Sequence, residues 1–364
     1  MNPPGVTAPV VDDARSARVV SGYVLRDRRD RISMRVSLRP VLVAACMIAA
    51  LAGVAVATIT TGDYPISALD AVRTLVGAGD PASEFIVTTL RLPRLVTGIV
   101  VGVALGVSGA ITQSLSRNPL ASPDIIGLTS GAATGAILVV VVLHGSMIDT
   151  ALGAVAGAAV TSALVYLLAF KNGVQGFRLI LVGIGVSAMI LSVNSYLIAR
   201  ASWQDAIAAQ AWLVGGLNGR GWEHAEPVLA ATALLLPVAL YQARRLSLLE
   251  MGDAAATALG VPVERSRLLL IAASVLLAGV ATAAAGPIAF LALVAPQLAQ
   301  RLTRSAGPGL LAAGLMGALL LTTSDLAVQR LFGPTQLPVG IATAGIGGSY
   351  LAWLLAHQWR RGPR

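Results

Sequence analysis

The chain has one cysteine, Cys46, one lysine, Lys171, and three histidines among 364 residues. A single thiol excludes a disulfide framework and any thiolate metal cluster. Cys46 reads instead as a small apolar residue in a helix. His144, His224 and His357 fall in three separate loops or chain ends, so no histidine metal site is expected. No G-x-x-x-x-G-K-[ST] segment exists and Asn172 follows the only lysine, which excludes a P-loop grip on ATP. Gly183-x-Gly185 lacks the third glycine of a dinucleotide site, and Gly215 to Gly221 reads as a loop. Charge is equally scarce: 12% of residues are charged and 56% hydrophobic, with a mean hydropathy of +0.78. A water-facing surface needs about a quarter charged residues, so this chain must face lipid.

What is present is a series of long apolar runs. A membrane span needs roughly 20 such residues. Residues 1–39 are polar and Arg-rich and read as an unstructured tail. Ten spans are expected over residues 40–357: Pro40 to Thr60, Arg91 to Ser114, Ile125 to Leu143, Thr150 to Phe170, Phe177 to Ile198, Glu226 to Tyr241, Leu268 to Ala285, Pro287 to Leu302, Leu310 to Val328 and Leu337 to His357. Residues 358–364 form a short basic tail. Ile66 to Val76 and Ser202 to Asn218 read as short outer helices, the second carrying Trp203 and Trp212 at the interface. The fold class is therefore all-α and polytopic.

Charge placement orients these spans. Of the 26 Lys and Arg residues, 20 fall on one side and 6 on the other, while acidic residues split evenly. That is the pattern of the positive-inside rule, and with ten spans it puts both termini in the cytoplasm. Almost no charge falls within the spans. Asp325 is the exception, close to the outer end of its helix, where a structural hydrogen-bonding role is expected. A stand-alone secondary transporter driven by protons or sodium has little to work with. No nucleophile–base pair supports an enzyme either.

The stretch Arg91 to Ala136 organises the rest. Arg91 and Arg94 share one helix face, with Pro93 between them in what reads as a first turn. Gly98, Gly102 and Gly106 follow at four-residue spacing, a small-residue stripe that lets helices approach closely in lipid. Asn118-Pro119 ends the run, because the residue before proline is pushed out of the α region. One long polar break, residues 244–267, reads as two short helices joined at Gly260, which fits a helix C-terminus before Pro262.

These segments resemble the FecCD/BtuC-type permeases, membrane subunits of ATP-driven importers for iron-siderophores, haem and cobalamin. The resemblance is carried by RLPR, by Ser108 to Gln113, by NPLA (Asn118 to Ala121) and by the SGAATGA run. It continues in Gly286 to Arg301, similar to GxIxFxGLxxPHxxR, and in Gln336 to Gly345, similar to ELPVGIxTAxxG. Gln297, Ala292, Gln336 and Ser349 stand where that family usually has His, Gly, Glu and Pro.

The resemblance implies the ten-helix fold of a type II importer permease in a bacterial inner membrane. It implies a second permease subunit, two ATP-binding subunits that hold ATP and magnesium, and an extracytoplasmic binding protein. The cargo it implies is a ferric siderophore, with cobalamin or haem as alternatives, and no cofactor in this chain. By the same resemblance, Arg91, Arg94 and Arg330 would dock the binding protein. Arg330 lies one residue later than the family pattern, and Gln329 takes the matching place. Leu249, Gly252, Asp253, Ala256, Leu259, Gly260 and Val261 would couple to the ATPase. Gly98, Gly102, Gly106, Asn118, Pro119, Pro296, Pro338 and Gly340 would shape packing and pathway.

Overall fold

The structure, a computed structural model, describes residues 23–26, 33–36, 38–62, 64–170, 176–305, 307–332 and 337–361. Lys171 and Gln336 lie outside these residues. Inside the tail that was expected to lack regular structure there is a short hairpin. Strand β1, Tyr23–Arg26, pairs antiparallel with β2, Ser33–Val36.

The remainder is helical. The first half holds α1 (Leu38–Thr60), α2 (Ala68–Leu75), α3 (Pro81–Glu84), α4 (Leu92–Ser116), α5 (Leu128–Leu138), α6 (Met147–Ala169), α7 (Gly176–Arg200) and α8 (Trp203–Val214). The second half holds α9 (Trp222–Tyr241), α10 (Ala243–Glu250), α11 (Asp253–Ala258), α12 (Val263–Ala285), α13 (Leu291–Thr303), α14 (Leu310–Leu331) and α15 (Val339–Arg361). Among the described residues, 7 helices are long and apolar enough to cross a membrane. The shorter apolar helices Leu128–Leu143 and Val339–Leu354, together with α13, complete a set of ten alternating segments. Helices α2 and α8 lie at one end of the bundle, and α10 and α11 at the other.

Helices α9 and α12 start earlier than expected, at Trp222 and Val263, and two further boundaries differ for a traceable reason. The second crossing does not start at Arg91, because the helix is continuous over Pro81–Ser116. Pro93 lacks an N–H and its ring crowds the carbonyl four residues back, which would kink a regular α-helix. A π-helical segment, Phe85–Arg91, absorbs this: the Leu92 N–H bonds Val87 O. The freed Thr88 carbonyl accepts from the indole of Trp222 at 2.8 Å. The second difference is α13, which starts at Leu291 rather than Pro287. Gly286 (φ 71°) and Phe290 (φ 63°) hold the intervening segment out of helix. At 1.5 Å per residue α13 spans only about 20 Å, short of a full crossing by itself.

Small residues set how the bundle packs. The Gly98, Gly102, Gly106 stripe of α4 meets Ala313, Gly314, Gly317 and Ala318 of α14, with Gly98 against Leu217 and Thr322. A second pair of stripes, Gly131 and Gly135 on α5 against Gly153 and Gly157 on α6, brings those backbones together in the same way. Lipid supplies no hydrophobic drive between helices, so close van der Waals contact and interhelical hydrogen bonds hold them. The α4–α12 contact shows the second kind. Ser108 Oγ lies 2.8 Å from Ser274 Oγ, and Thr112 Oγ1 lies 3.0 Å from the same atom. At the ends, Ser67, Ser146 and Ser202 cap α2, α6 and α8, each accepting from the backbone N–H three residues on.

Candidate functional site

Three features of the bundle are candidates for function, one at each end and a cavity between them. The polar break forms the α10–α11 hairpin. Its joint is not Gly260 but the Met251–Gly252 turn, where Gly252 takes φ 114°. Gly260 (φ 80°) instead ends α11 and starts the turn into α12. No atom lies within 4 Å of a Cβ at either glycine, so backbone conformation rather than space requires them.

The residues expected from the sequence to couple to an ATPase divide by direction. Leu249, Ala256 and Val261 are buried and fasten the hairpin to the bundle. Leu259 is 59% exposed, as is Met251 at 68%, so two large apolar side chains project from the hairpin. Asp253 is the hub that fixes its position. The carboxylate accepts from Arg117 at 2.9 Å and from Arg267 at 2.9 Å on both oxygens. Arg117 also donates to Leu249 O, and Arg267 to Glu264. Three elements are thus tied at one carboxylate: the C-cap of α4, the start of α11 and the start of α12.

Burial alone would raise the Asp253 carboxyl, but the hydrogen bonds and charges of Arg267 and then Arg117 outweigh it. They hold it below its ordinary 3.8. A depressed carboxyl stabilises the hairpin above its unfolded pKa and loses that contribution as pH falls through the folded value. Asp253→Asn is therefore expected to loosen the hairpin at neutral pH. Hydrogen exchange over residues 243–262 should then rise selectively, with α14 unchanged.

A cavity of about 910 Å³ runs between the α4–α5 connection, the end of α8, the 286–290 segment and α15. A second, of about 540 Å³, shares Thr129, Ser130, Leu213 and Pro287 with it and adds Asn194 and Gln210. Their walls are apolar with scattered hydroxyls and amides. Asp124 is the one ionisable side chain lining either cavity among the described residues, and it accepts from the Thr129 hydroxyl. A lining of this kind orients a ligand without trapping it by charge.

Of the residues marked from sequence for packing and pathway, Gly340 lines the larger cavity, and the others brace the segments around it. Asn118 turns the chain after α4, its Oδ1 accepting from the Leu120 N–H at 2.9 Å. Pro119 O accepts from Gln297 Nε2 at 2.7 Å, and Pro296, buried in α13, adjoins that glutamine. Pro338 packs on Gly216, and the Gly340 N–H donates to Gly215 O. Gly215, Gly286 and Gly340 meet where α8, α12 and α15 converge: a Cβ on Gly286 would fall 2.6 Å from Trp212 O.

At the opposite end the arginines have internal partners. Arg91 donates to Ile59 O and Tyr64 O, both at 2.6 Å, and so ties the α1–α2 turn to the long helix. Arg94 forms a bidentate pair with Asp325 of α14 at 2.9 and 2.7 Å. Both side chains are largely buried. Gln329 completes that cage, donating to Asp325 at 2.8 Å. Arg330 is exposed at the last turn of α14. Asp325 thus has the structural role expected of it. Neither arginine sits in a first helical turn, since the helix began at Pro81.

Sequence reasoning missed Arg117 and Arg267 as partners of the hairpin, and Tyr350, whose hydroxyl donates to Gln297. Arg117 stands immediately before Asn118-Pro119, and Arg267 at the end of the polar break. Only their distance from Asp253 reveals their role.

The comparisons agree with this architecture. The FecCD transport family model matches residues 45–357. The ferric enterobactin transport system permease FepG of Escherichia coli K12 is 46% identical over 88% of this chain and 96% of its own length. The iron(3+)-hydroxamate permease FhuG of Bacillus subtilis is 34% identical over 87% and 97%. The hemin permease HmuU of Yersinia pestis is 35% identical over 74% and 82%. An inward-facing metal-chelate type ABC transporter superposes with a TM-score of 0.77 at 28% identity, covering 87% of this chain and 99% of that one. The chain is an integral membrane permease of the bacterial inner membrane, and it belongs to the FecCD transport family.

Proposed function

We propose that this permease forms the translocation pathway for a ferric siderophore. It works with a second permease subunit, two ATP-binding subunits that hold the ATP and magnesium, and an extracytoplasmic binding protein. The observation that carries the proposal is the large, weakly polar cavity, joined through the α4–α5 connection to a hairpin with projecting apolar side chains. The ferric chelates named for the similar permeases FepG and FhuG support the cargo class. The likeness to HmuU makes haem the competing cargo. Uptake by the reconstituted complex decides it: radiolabelled ferric siderophore should enter with ATP and without an ion gradient, and haem should not compete.

In this reading both termini and the α10–α11 hairpin face the cytoplasm, as the basic residues suggest. Met251 and Leu259 insert into the ATPase subunit. Met251→Glu with Leu259→Glu is expected to release the ATPase in pull-downs from membranes, while the permease itself stays folded. A cysteine at 251 labelled from the extracytoplasmic side would overturn the orientation. Docking of the binding protein falls to the α2–α8 end, with Arg330 the most accessible of the three arginines. Arg91 and Arg94 stiffen the surface it meets.

A further inference from the structure

Leu120 on the α4–α5 connection and Leu351 on α15 line the larger cavity, and Pro119, beside Leu120, lines another together with Glu250 of α10, which puts this side of the cavity toward α10. The residue before each leucine belongs to one hydrogen-bonded chain. Gln297, buried on α13, donates to Pro119 O at 2.7 Å and accepts from the Tyr350 hydroxyl at 3.3 Å. Both halves of the amide are engaged, so its partners set its orientation. One turn along α13, Arg301 lies over the rings of Tyr350 and Trp353, at 5.5 and 5.4 Å. These cation–π contacts help hold the Tyr350 ring in place. Helix α13 therefore grips the α4–α5 connection and α15 at once.

That connection is also where the hairpin is attached. Arg117, bonded to Asp253, is two residues from Pro119. Residues 117–119, Glu250 and Gln300 line one further cavity of about 260 Å³. Two residues of backbone therefore separate the hairpin's anchor from the Pro119 carbonyl.

We propose that Gln297 is a positioning residue that straps the pathway's α10-side mouth. Its amide holds Leu120 and Leu351 at a set spacing until movement of the hairpin pulls the Pro119 carbonyl away. The proposal rests on reading the cavity as the translocation pathway. A histidine at this position also offers one ring donor and one acceptor, so it can span the same two partners.

The test uses the assembled transporter in vesicles, with Cys46 replaced by serine and Leu120→Cys as the probe. An impermeant maleimide applied from the hairpin side should label that cysteine several-fold faster in Gln297→Leu than in the parent. Tyr350→Phe, which deletes one hydroxyl, should give an intermediate rate, and Gln297→His should return it to the parent value. ATP hydrolysed per chelate imported should rise and fall with the labelling rate. Parent-like labelling in Gln297→Leu overturns the strap. So does a Gln297→His variant as defective as the leucine, since packing rather than bridging would then matter. Labelling needs no cargo, so a failure to import ferric siderophore would count against the cargo assignment and leave this test decisive.

Discussion

Asp325→Ala is expected to destabilise the permease by about 3–5 kcal/mol, the range for removing one partner of a buried ion pair. The remaining Arg94 guanidinium would keep an environment built for a bidentate carboxylate, with only 15% of its side chain exposed. Arg94→Ala should be damaging too, because Gln329 alone would then satisfy Asp325. The double variant should recover part of the loss, since it leaves neither charge stranded. Asp325→Asn should fall between, keeping an acceptor for Arg94 but no charge. Thermal unfolding in detergent, with the parent, the two alanine variants and their double as a cycle, measures the coupling directly. Equal losses in both single variants that simply add in the double would show that the pair contributes nothing as a pair. The same experiment bears on docking: a carboxylate from a binding protein would have to share Arg94 with Asp325, which already holds its Nε and Nη2.

Gly102→Ala should disrupt the bundle although it adds a single methyl. Its Cβ would lie 2.5 Å from Ala318 Cα and from Gly317 O, both backbone atoms that cannot rotate aside. Helices α4 and α14 would have to separate along their whole contact, including Gly106 against Ala313. Overpacking of this kind costs about 1–3 kcal/mol for modest insertions. Gly102→Leu should prevent accumulation of folded permease altogether. Gly53 on α1 is the control, since no atom lies within 4 Å of a Cβ there. Gly53→Ala should be neutral or stabilising by up to about 1 kcal/mol, from helix propensity alone. Folded yield by size-exclusion chromatography distinguishes the two positions, and equal behaviour would refute the packing argument.

Much of the molecule was legible before its structure. Composition alone demanded lipid, and the apolar runs fell within a few residues of most observed helices. Glycines at four-residue spacing announced a close helix contact on α4, and the same signal on α5 and α6, in Gly131, Gly135, Gly153 and Gly157, went unused. The errors came where one local rule met a stronger distant one. Pro93 suggested a helix start, but the π segment and Trp222 from another helix accommodate it inside a longer one. Gly260 looked like the hairpin joint because Pro262 follows, yet Gly252 carries the more unusual backbone angle.

Segment number, lipid exposure and the existence of a polar hairpin were determined by the sequence itself. Each follows from the composition and periodicity of 10 to 25 adjacent residues, on which burial in a membrane acts directly. Which side chains meet was decided only by the tertiary structure. Arg94 and Asp325 are 231 residues apart in the chain, and Gln297 and Pro119 are 178 apart. No local pattern marks such a pair: an arginine reads the same whether it faces a partner protein or a buried carboxylate. The geometry of the packed bundle sets that distance, and with it whether a charge is a docking group or a structural clamp.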